Sequence, residues 1–235
     1  MTNDDILSKV NTVIEYANTV FELKPVEGYL HDLEGYALMR VAADGPGTGA
    51  IVEIGSFLGR STCWLARGAK STFREKVTAI DHFKGSPEHQ AGSSFECRFL
   101  TEHGSTFPAF QENIRRAGVE DYVEPIVASS EDAAKTWDRP IRFLFIDGDH
   151  SYEATRRDFS LWAPFLIPGG CIAFHDVGVW DGVTQFVDGL LKASAEYVKL
   201  FSVAGLAMLQ RNPPARDDVR TGPEGNKRLV AQAPE

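Results

Sequence analysis

From Ala50 onward the chain alternates short apolar runs with longer stretches whose apolar residues recur at helical spacing. The runs 50–54, 77–81, 123–127, 141–147 and 171–176 are too short for helices and read as strands, and the Ile, Phe and Leu content of 141–147 reads as a strand covered on both faces. Helices are predicted between them from about Ser61, Phe107, Glu131 and Tyr152. Strands alternating with helices mean parallel βαβ units and an α/β, doubly wound sheet. After a helix over Asp181 to Lys192, the runs Tyr197 to Val203 and Leu206 to Gln210 are separated by Ala204-Gly205 alone. Two residues cannot hold a helical crossover, so the five parallel strands should be closed by a C-terminal antiparallel pair.

Before Ala50, the residues Ile6, Val10, Val13, Ile14, Ala17 and Phe21 fall on one helical stripe, with Thr2 or Asn3 as its cap and Asp4 and Asp5 in its first turn. A second helix is predicted over Leu30 to Ala43, stopped by Asp-Gly-Pro-Gly-Thr-Gly. Residues 1–47 therefore read as an N-terminal helical extension that covers its own domain or a second subunit, and a homodimer is expected. The main domain is expected over 48–212, and the Pro-, Gly- and charge-rich stretch 213–235 reads as a disordered tail. Residues 84–106 make an over-long connection at the sheet's C-terminal edge, the place of a lid or binding loop.

Composition narrows the function. A formal charge of -9 with no basic run excludes nucleic acid as a partner class. No apolar run approaches the roughly 18 residues of a membrane span, and the acidic N-terminus is unlike a signal peptide, so a cytoplasmic protein acting on a small-molecule or saccharide acceptor is expected. Cys63, Cys97 and Cys171 lack metal-ligand spacing and read as small buried hydrophobes.

Candidate chemistry gathers at strand ends. The run Ile141-Arg-Phe-Leu-Phe-Ile-Asp147-Gly-Asp149-His150 sets an aspartate at a strand tip with a histidine three residues on, and Gly169-Gly-Cys-Ile-Ala-Phe-His175-Asp176 ends another strand on a histidine and a carboxylate. If the two strands are neighbours, their tips lie about 5 Å apart. Asp147, His175 and Asp176 then converge as a divalent-metal site, with His150 beside it as a base. The opposite assignments are a helix cap for Asp147, a satisfied core histidine for His175 and, for His150, a bond to a neighbouring carboxylate such as Asp149.

The first strand runs into Glu53-Ile-Gly55-Ser56-Phe-Leu-Gly59-Arg-Ser61, a turn without the third glycine of a dinucleotide site or the lysine of a P-loop. A carboxylate before such a turn suits a cationic ligand group rather than a phosphate. Asp81 ends the second strand, where an acid can hold ribose hydroxyls. Ser129-Ser130-Glu131-Asp132 after the third can edge an adenine or cap the next helix. A nucleoside with a cationic appendage and no phosphate is S-adenosylmethionine.

These residues together resemble the class I S-adenosylmethionine-dependent methyltransferases, with their Rossmann-like sheet, over residues 48–210. Within them the chain is similar to the metal-dependent O-methyltransferases, both the catechol type and, through Ile146-Asp147-Gly-Asp-His150-Ser-Tyr and Phe174-His175-Asp176-Val, the bacterial enzymes that methylate sugar hydroxyls on macrolides and polysaccharides. The resemblance implies that Glu53, Gly55, Ser56, Gly59 and Ser61 form the methionine end of the cofactor site, that Asp81 binds ribose, and that Ser130 and Glu131 lie against adenine. Asp147, His175 and Asp176 take the metal positions, Asp147 also bordering the cofactor, and His150 takes the place of the general base. The family often has a carboxylate where this chain has His175. Mg²⁺ is the first expectation for the metal, but a nitrogen ligand suits Mn²⁺, Fe²⁺ or Zn²⁺ better.

The expected reaction is methyl transfer to a hydroxyl of a sugar or a sugar-bearing compound, the metal orienting the acceptor. The alternatives are a phenol methyltransferase of the catechol type and a nucleotide-binding Rossmann protein without methyltransferase activity. His31, His82, His89 and His103 read as surface residues, with His103 the one expected to meet substrate, and Tyr29, Tyr152 and Trp180 read as packing.

Overall fold

The computed structural model describes residues 2–213. Seven strands form one sheet: β1 (Ala50–Ile54), β2 (Val77–Asp81), β3 (Val123–Val127), β4 (Ile141–Ile146), β5 (Leu166–Phe174), β6 (Tyr197–Val203) and β7 (Leu206–Arg211), in the order β3-β2-β1-β4-β5-β7-β6. β7 pairs antiparallel with both β5 and β6, so among the described strands it runs against the rest. The chain winds outward from β1 to β3 and then returns to lay β4 beside β1. That reversal leaves a crevice at the carboxyl ends of β1 and β4, where open α/β sheets bind ligands.

The strands alternate faces, and each face is buried. Ile51, Phe143, Phe145 and Ala173 join one core, while Val52, Leu144, Ile146 and Phe174 join the other. The first is covered by α2 (Asp32–Asp44), α3 (Arg60–Ser71) and α5 (Phe107–Arg116), and the second by α6 (Ser130–Ala134), α7 (Tyr152–Trp162) and α8 (Asp181–Ala193). α2 is built into this layer rather than appended to it: Leu38, Met39 and Ala42 are buried in the same core as Trp64 and Leu65 of α3. The crossing is close, because a Cβ at Gly68 would lie 2.1 Å from the Met39 carbonyl oxygen.

α1 (Asn3–Leu23) is capped by Thr2, whose hydroxyl accepts from Asp5 N while Asp5 accepts from Thr2 N. Its apolar stripe is not covered by its own domain. Only Thr19 and Leu23 are buried, while Ile6, Leu7, Val10, Val13, Ile14 and Phe21 are exposed. β5 starts at Leu166, five residues before the run from Cys171 suggested, because Pro168-Gly169-Gly170 reads as a turn and yet continues the strand. It stops at Phe174, so His175 and Asp176 follow the strand instead of ending it. The 84–106 connection holds a 3-10 turn over Pro87–His89 and α4 (Arg98–His103). The three cysteines are free and buried, as read. Apart from Pro213, the expected tail lies outside the described residues.

The α2–α3 crossing yields a paired prediction. Gly68→Ala forces two backbones apart and should cost about 1–3 kcal/mol, whereas Gly189→Ala in α8, where a Cβ would meet nothing within 4 Å, should stabilise by about 0.5–1 kcal/mol. Thermal or urea unfolding reads both, and equal effects would show that the crossing is not tight.

Candidate active site

A cavity of about 850 Å³ opens over the crevice between β1 and β4. Its floor depends on one close approach: Gly55, at φ 86°, has no Cβ, and a Cβ there would sit 2.1 Å from the Asp147 carbonyl oxygen. The turn after β1 can therefore lie against the tip of β4, with Asp147 N donating to the Ile54 oxygen at 2.8 Å. Gly55 serves this approach to Asp147 and also lines the cavity. Gly59 does not line the cavity; it starts α3 at φ 86° with the Phe110 ring 2.9 Å from where its Cβ would be.

Asp81 organises this turn. Its Oδ2 accepts from Ser56 N at 2.9 Å and Phe57 N at 2.8 Å, and its Oδ1 from Phe83 N at 2.5 Å. The two turn amides that would cradle a phosphate are thus already bonded to a carboxylate, which agrees with a ligand that carries none. Asp81, Ser56 and Ser61 line the cavity.

Glu53 stands behind this wall. Odd positions of β1 face the α3 layer, so its side chain runs beneath the first turn of α3 at 0% exposure, accepts from the Thr62 hydroxyl, and leaves Oε1 without a partner. Its expected place lining the ligand site is corrected: Glu53 does not line the cavity. Burial pushes the Glu53 carboxyl up to about 7 against the hydroxyl hydrogen bonds that pull it down.

At the far side of the cavity, Ser129 caps α6 by accepting from Asp132 N, while the Ser130 hydroxyl accepts from Trp162 Nε1 at 2.9 Å. Glu131 pairs with Arg157 at 2.8 Å, and both residues line the cavity beside Ser130.

The register Ile146↔Phe174 of β4 on β5 brings Asp147 beside His175, as the sequence suggested. His175 is 6% exposed and both its ring nitrogens face carboxylates. Nδ1 lies 3.0 Å from Asp147 Oδ1 and 3.4 Å from Asp176 Oδ2, and Nε2 lies 3.0 Å from Glu34 Oε2. Burial alone would lower its pKa, but the Asp147 charge and the hydrogen bonds to Asp147, Asp176 and Glu34 raise it far above the ordinary value. Asp176 adopts the left-handed region at φ 62°, which turns its carboxylate back into the site.

His150 Nε2 lies 2.9 Å from Asp176 Oδ2, its Nδ1 lies 3.1 Å from Glu88 Oε1, and its ring stacks on Trp180 with centroids 4.8 Å apart. His150 thus does pair with neighbouring carboxylates, Asp176 and Glu88 in place of Asp149. Burial pushes its pKa down, and the bond to Asp176 with the charges of Asp176, Asp147 and Glu88 more than reverses this.

The ligand atoms of Asp147, His175 and Asp176 lie within 4.8 Å of one another. Three oxygen and nitrogen donors with a carboxylate behind the histidine form a donor set that fits a divalent ion. The arrangement calls for a cation at its centre: either Nδ1 carries a proton, or an ion takes its place.

Glu34, Glu88, Phe57 and His89 were not picked out in the sequence. Tyr29, Phe57 and His89 stack on one another at the cavity mouth, with Phe57 and His89 centroids 4.5 Å apart, and Phe95 meets Tyr29 edge-on. His31 and His82 also border the cavity, whereas His103 is exposed on α4 and does not. His31 caps α2, accepting from Leu33 N at 3.2 Å. The usable signal for Glu34 was its place on one helical face with Leu38 and Ala42.

A family model described as a methyltransferase domain matches residues 52–177, more than half of the chain, and the chain belongs to that family. It is 29% identical over 145 residues to an uncharacterized protein, R132, of Acanthamoeba polyphaga mimivirus, a match covering 62% of this chain and 59% of that one. The chain thus spans less than two thirds of the length of this curated relative. The structure of the O-methyltransferase NovP superposes with a TM-score of 0.59 at 17% identity, over 76% of this chain and 77% of that one. The O-methyltransferase from Bacillus cereus in complex with SAH gives 0.55 at 20% identity, over 86% and 91%. At such identities the likeness is one of fold. Family and fold place the chain among the class I S-adenosylmethionine-dependent methyltransferases.

Two predictions concern the cofactor side. Asp81→Ala removes the acceptor of three backbone N–H groups, so it should destabilise the apoprotein by about 1–3 kcal/mol and shrink the thermal shift produced by S-adenosylhomocysteine. An unchanged apo midpoint would show that the turn holds itself. Glu53, whose pKa is raised on folding, contributes stability that is complete below about 4.5 and is lost as pH rises through about 7. Apoprotein stability should therefore fall between pH 5 and pH 8, and Glu53→Gln should flatten that limb; a profile identical to the wild type would assign the limb to another group.

Proposed function

We propose that the protein transfers the methyl group of S-adenosylmethionine to a hydroxyl of a sugar or sugar-bearing natural product, with a divalent ion held by Asp147, His175 and Asp176 and with His150 as the general base. The observation that carries this is the convergence, in one cavity, of the Asp81-pinned turn, the Asp147–His175–Asp176 cluster and His150.

The donor supplies a sulfonium methyl, whose C–S bond breaks as the C–O bond forms. A divalent ion supplies Lewis acidity, which lowers the pKa of the acceptor hydroxyl. The rest falls to the chain itself. The β1 turn and Asp81 fix the donor's ribose side, with Ser130 and Glu131 toward the base. His150, held between Trp180 and Glu88, takes the hydroxyl proton as the oxygen attacks. Positioning of the two reactants across about 850 Å³ of partly enclosed space supplies the orientation that a displacement in line with the C–S bond requires.

The presence of a positioned histidine supports an aliphatic hydroxyl, because an alcohol needs a base more than an already acidic phenol does. The phenol reading keeps one observation in its favour, the stacked aromatic group at the mouth, which would also accept a planar acceptor.

A panel of sugar and phenol acceptors with radiolabelled donor tests the proposal. With the sugar-type acceptor, His150→Ala should lower kcat by about 10² to 10⁴, and excess chelator should abolish turnover until a divalent ion is restored. Full turnover of metal-free protein would remove the ion, methylation of phenols alone would overturn the sugar assignment, and a His150→Ala variant that keeps its kcat would remove the base.

A further inference from the structure

Glu34 lies outside the matched residues 52–177, in the first turn of α2, yet its carboxylate reaches the centre of the site at 3% exposure. Oε1 accepts from Gly205 N at 2.7 Å, and Oε2 accepts from His31 N at 2.8 Å while facing His175 Nε2 at 3.0 Å. Gly205 leaves room for it, since a Cβ there would stand 3.3 Å from Oε1. Each oxygen of Glu34 thus receives a backbone N–H, the pattern of a carboxylate that accepts. An ionised carboxylate only accepts, so the hydrogen between it and His175 belongs to Nε2. In a neutral ring, Nδ1 then presents a lone pair toward Asp147 and Asp176.

We propose that Glu34 is a positioning residue that locks His175 in the Nε2–H tautomer, making Nδ1 a metal ligand and turning the site toward borderline divalent ions such as Mn²⁺ or Zn²⁺ rather than Mg²⁺. The proposal rests on the divalent-ion reading above. It ties the N-terminal segment to the chemistry, because α2 and the β6–β7 turn, both bonded to Glu34, orient a ligand that belongs to β5. A carboxylate behind a ligating imidazole fixes ring orientation and raises ligand basicity, and its removal typically costs 10- to 100-fold in metal affinity. Part of any such loss could arise from removing one negative charge near a cation. A double-mutant cycle separates the two, because a charge acts whatever the ligand, whereas tautomer control needs an imidazole.

The test is calorimetric titration of the metal-stripped full chain with MnCl₂, ZnCl₂ and MgCl₂, with unfolding midpoints measured alongside. The wild type should prefer Mn²⁺ and Zn²⁺ to Mg²⁺. Glu34→Gln should lose about 10- to 100-fold in Mn²⁺ affinity with much of its preference over Mg²⁺, and in a His175→Asp background the same change should lose markedly less. Should Glu34→Gln fail to fold, Glu34→Asp, which keeps the charge and withdraws it by one methylene, should show the same loss. Equal losses in both backgrounds, or an unchanged Mn²⁺ affinity in Glu34→Gln, would overturn the positioning role while leaving the ion in place. A wild type that binds none of the three ions would instead overturn the divalent-ion reading and the proposal with it.

Discussion

The rest of the site depends on the crowding of negative charge at the carboxyl ends of β4 and β5. Glu34, Asp147, Asp176 and Glu88 surround two imidazoles, and each imidazole touches at least two of the carboxylates. Like charges this close are tolerated only with cations between them. Two imidazolium rings meet that need, and so does one divalent ion with both rings neutral; the net charge is the same either way. On the proposed divalent-ion reading, ion and protons compete for the same cluster of negative charge. The competition has a chemical consequence: with the protons in place His150 is an acid, and with the ion in place it is free to act as a base.

That charge cluster can form only because the backbone lets it. Gly55 allows the β1 turn to lie on the Asp147 carbonyl, and Asp81 holds the same turn by its amides, so the cofactor side and the cluster share one rigid floor. Arg60, at the start of α3, bonds the carbonyls of Leu30 and Val26 and pairs with Asp32, which anchors the segment before α2 to the same turn. Glu34 then enters the site from α2. The N-terminal helices are thus part of the chemistry's scaffold and not an appendage to it.

What the sequence made legible follows from how local each signal is. Buried parallel strands read as apolar runs, so β1, β2 and β4 were recovered nearly residue for residue; the partly exposed edge strand β3 matched as well, and the convergence of Asp147 with His175 needed only that β4 and β5 be neighbours. The start of β5 was hidden because Pro168-Gly169-Gly170 has the composition of a turn and is held in strand by its neighbours. Glu34 was hidden because an acid in a first turn is what any helix favours, which outweighs the weaker signal that it shares a face with Leu38 and Ala42. His89 and His103 look alike in sequence, and only the stacking of His89 on Tyr29 and Phe57 selects it for the cavity. Glu53 was read as facing a ligand because it precedes a ligand-binding turn, but strand alternation turns it beneath α3.

The same contrast divides the site into two kinds of surface. The cofactor side is made of short contiguous motifs at the tips of consecutive strands, each readable alone. The mouth is made of side chains from the α1–α2 connection, the β1 turn and the 84–106 segment, brought together only by folding. On the proposed reading, acceptor recognition falls to segments whose sequence is not constrained by sheet geometry, and donor binding and proton transfer fall to residues that are. A change of acceptor can then be made by altering the mouth, with the charge cluster beneath it left intact.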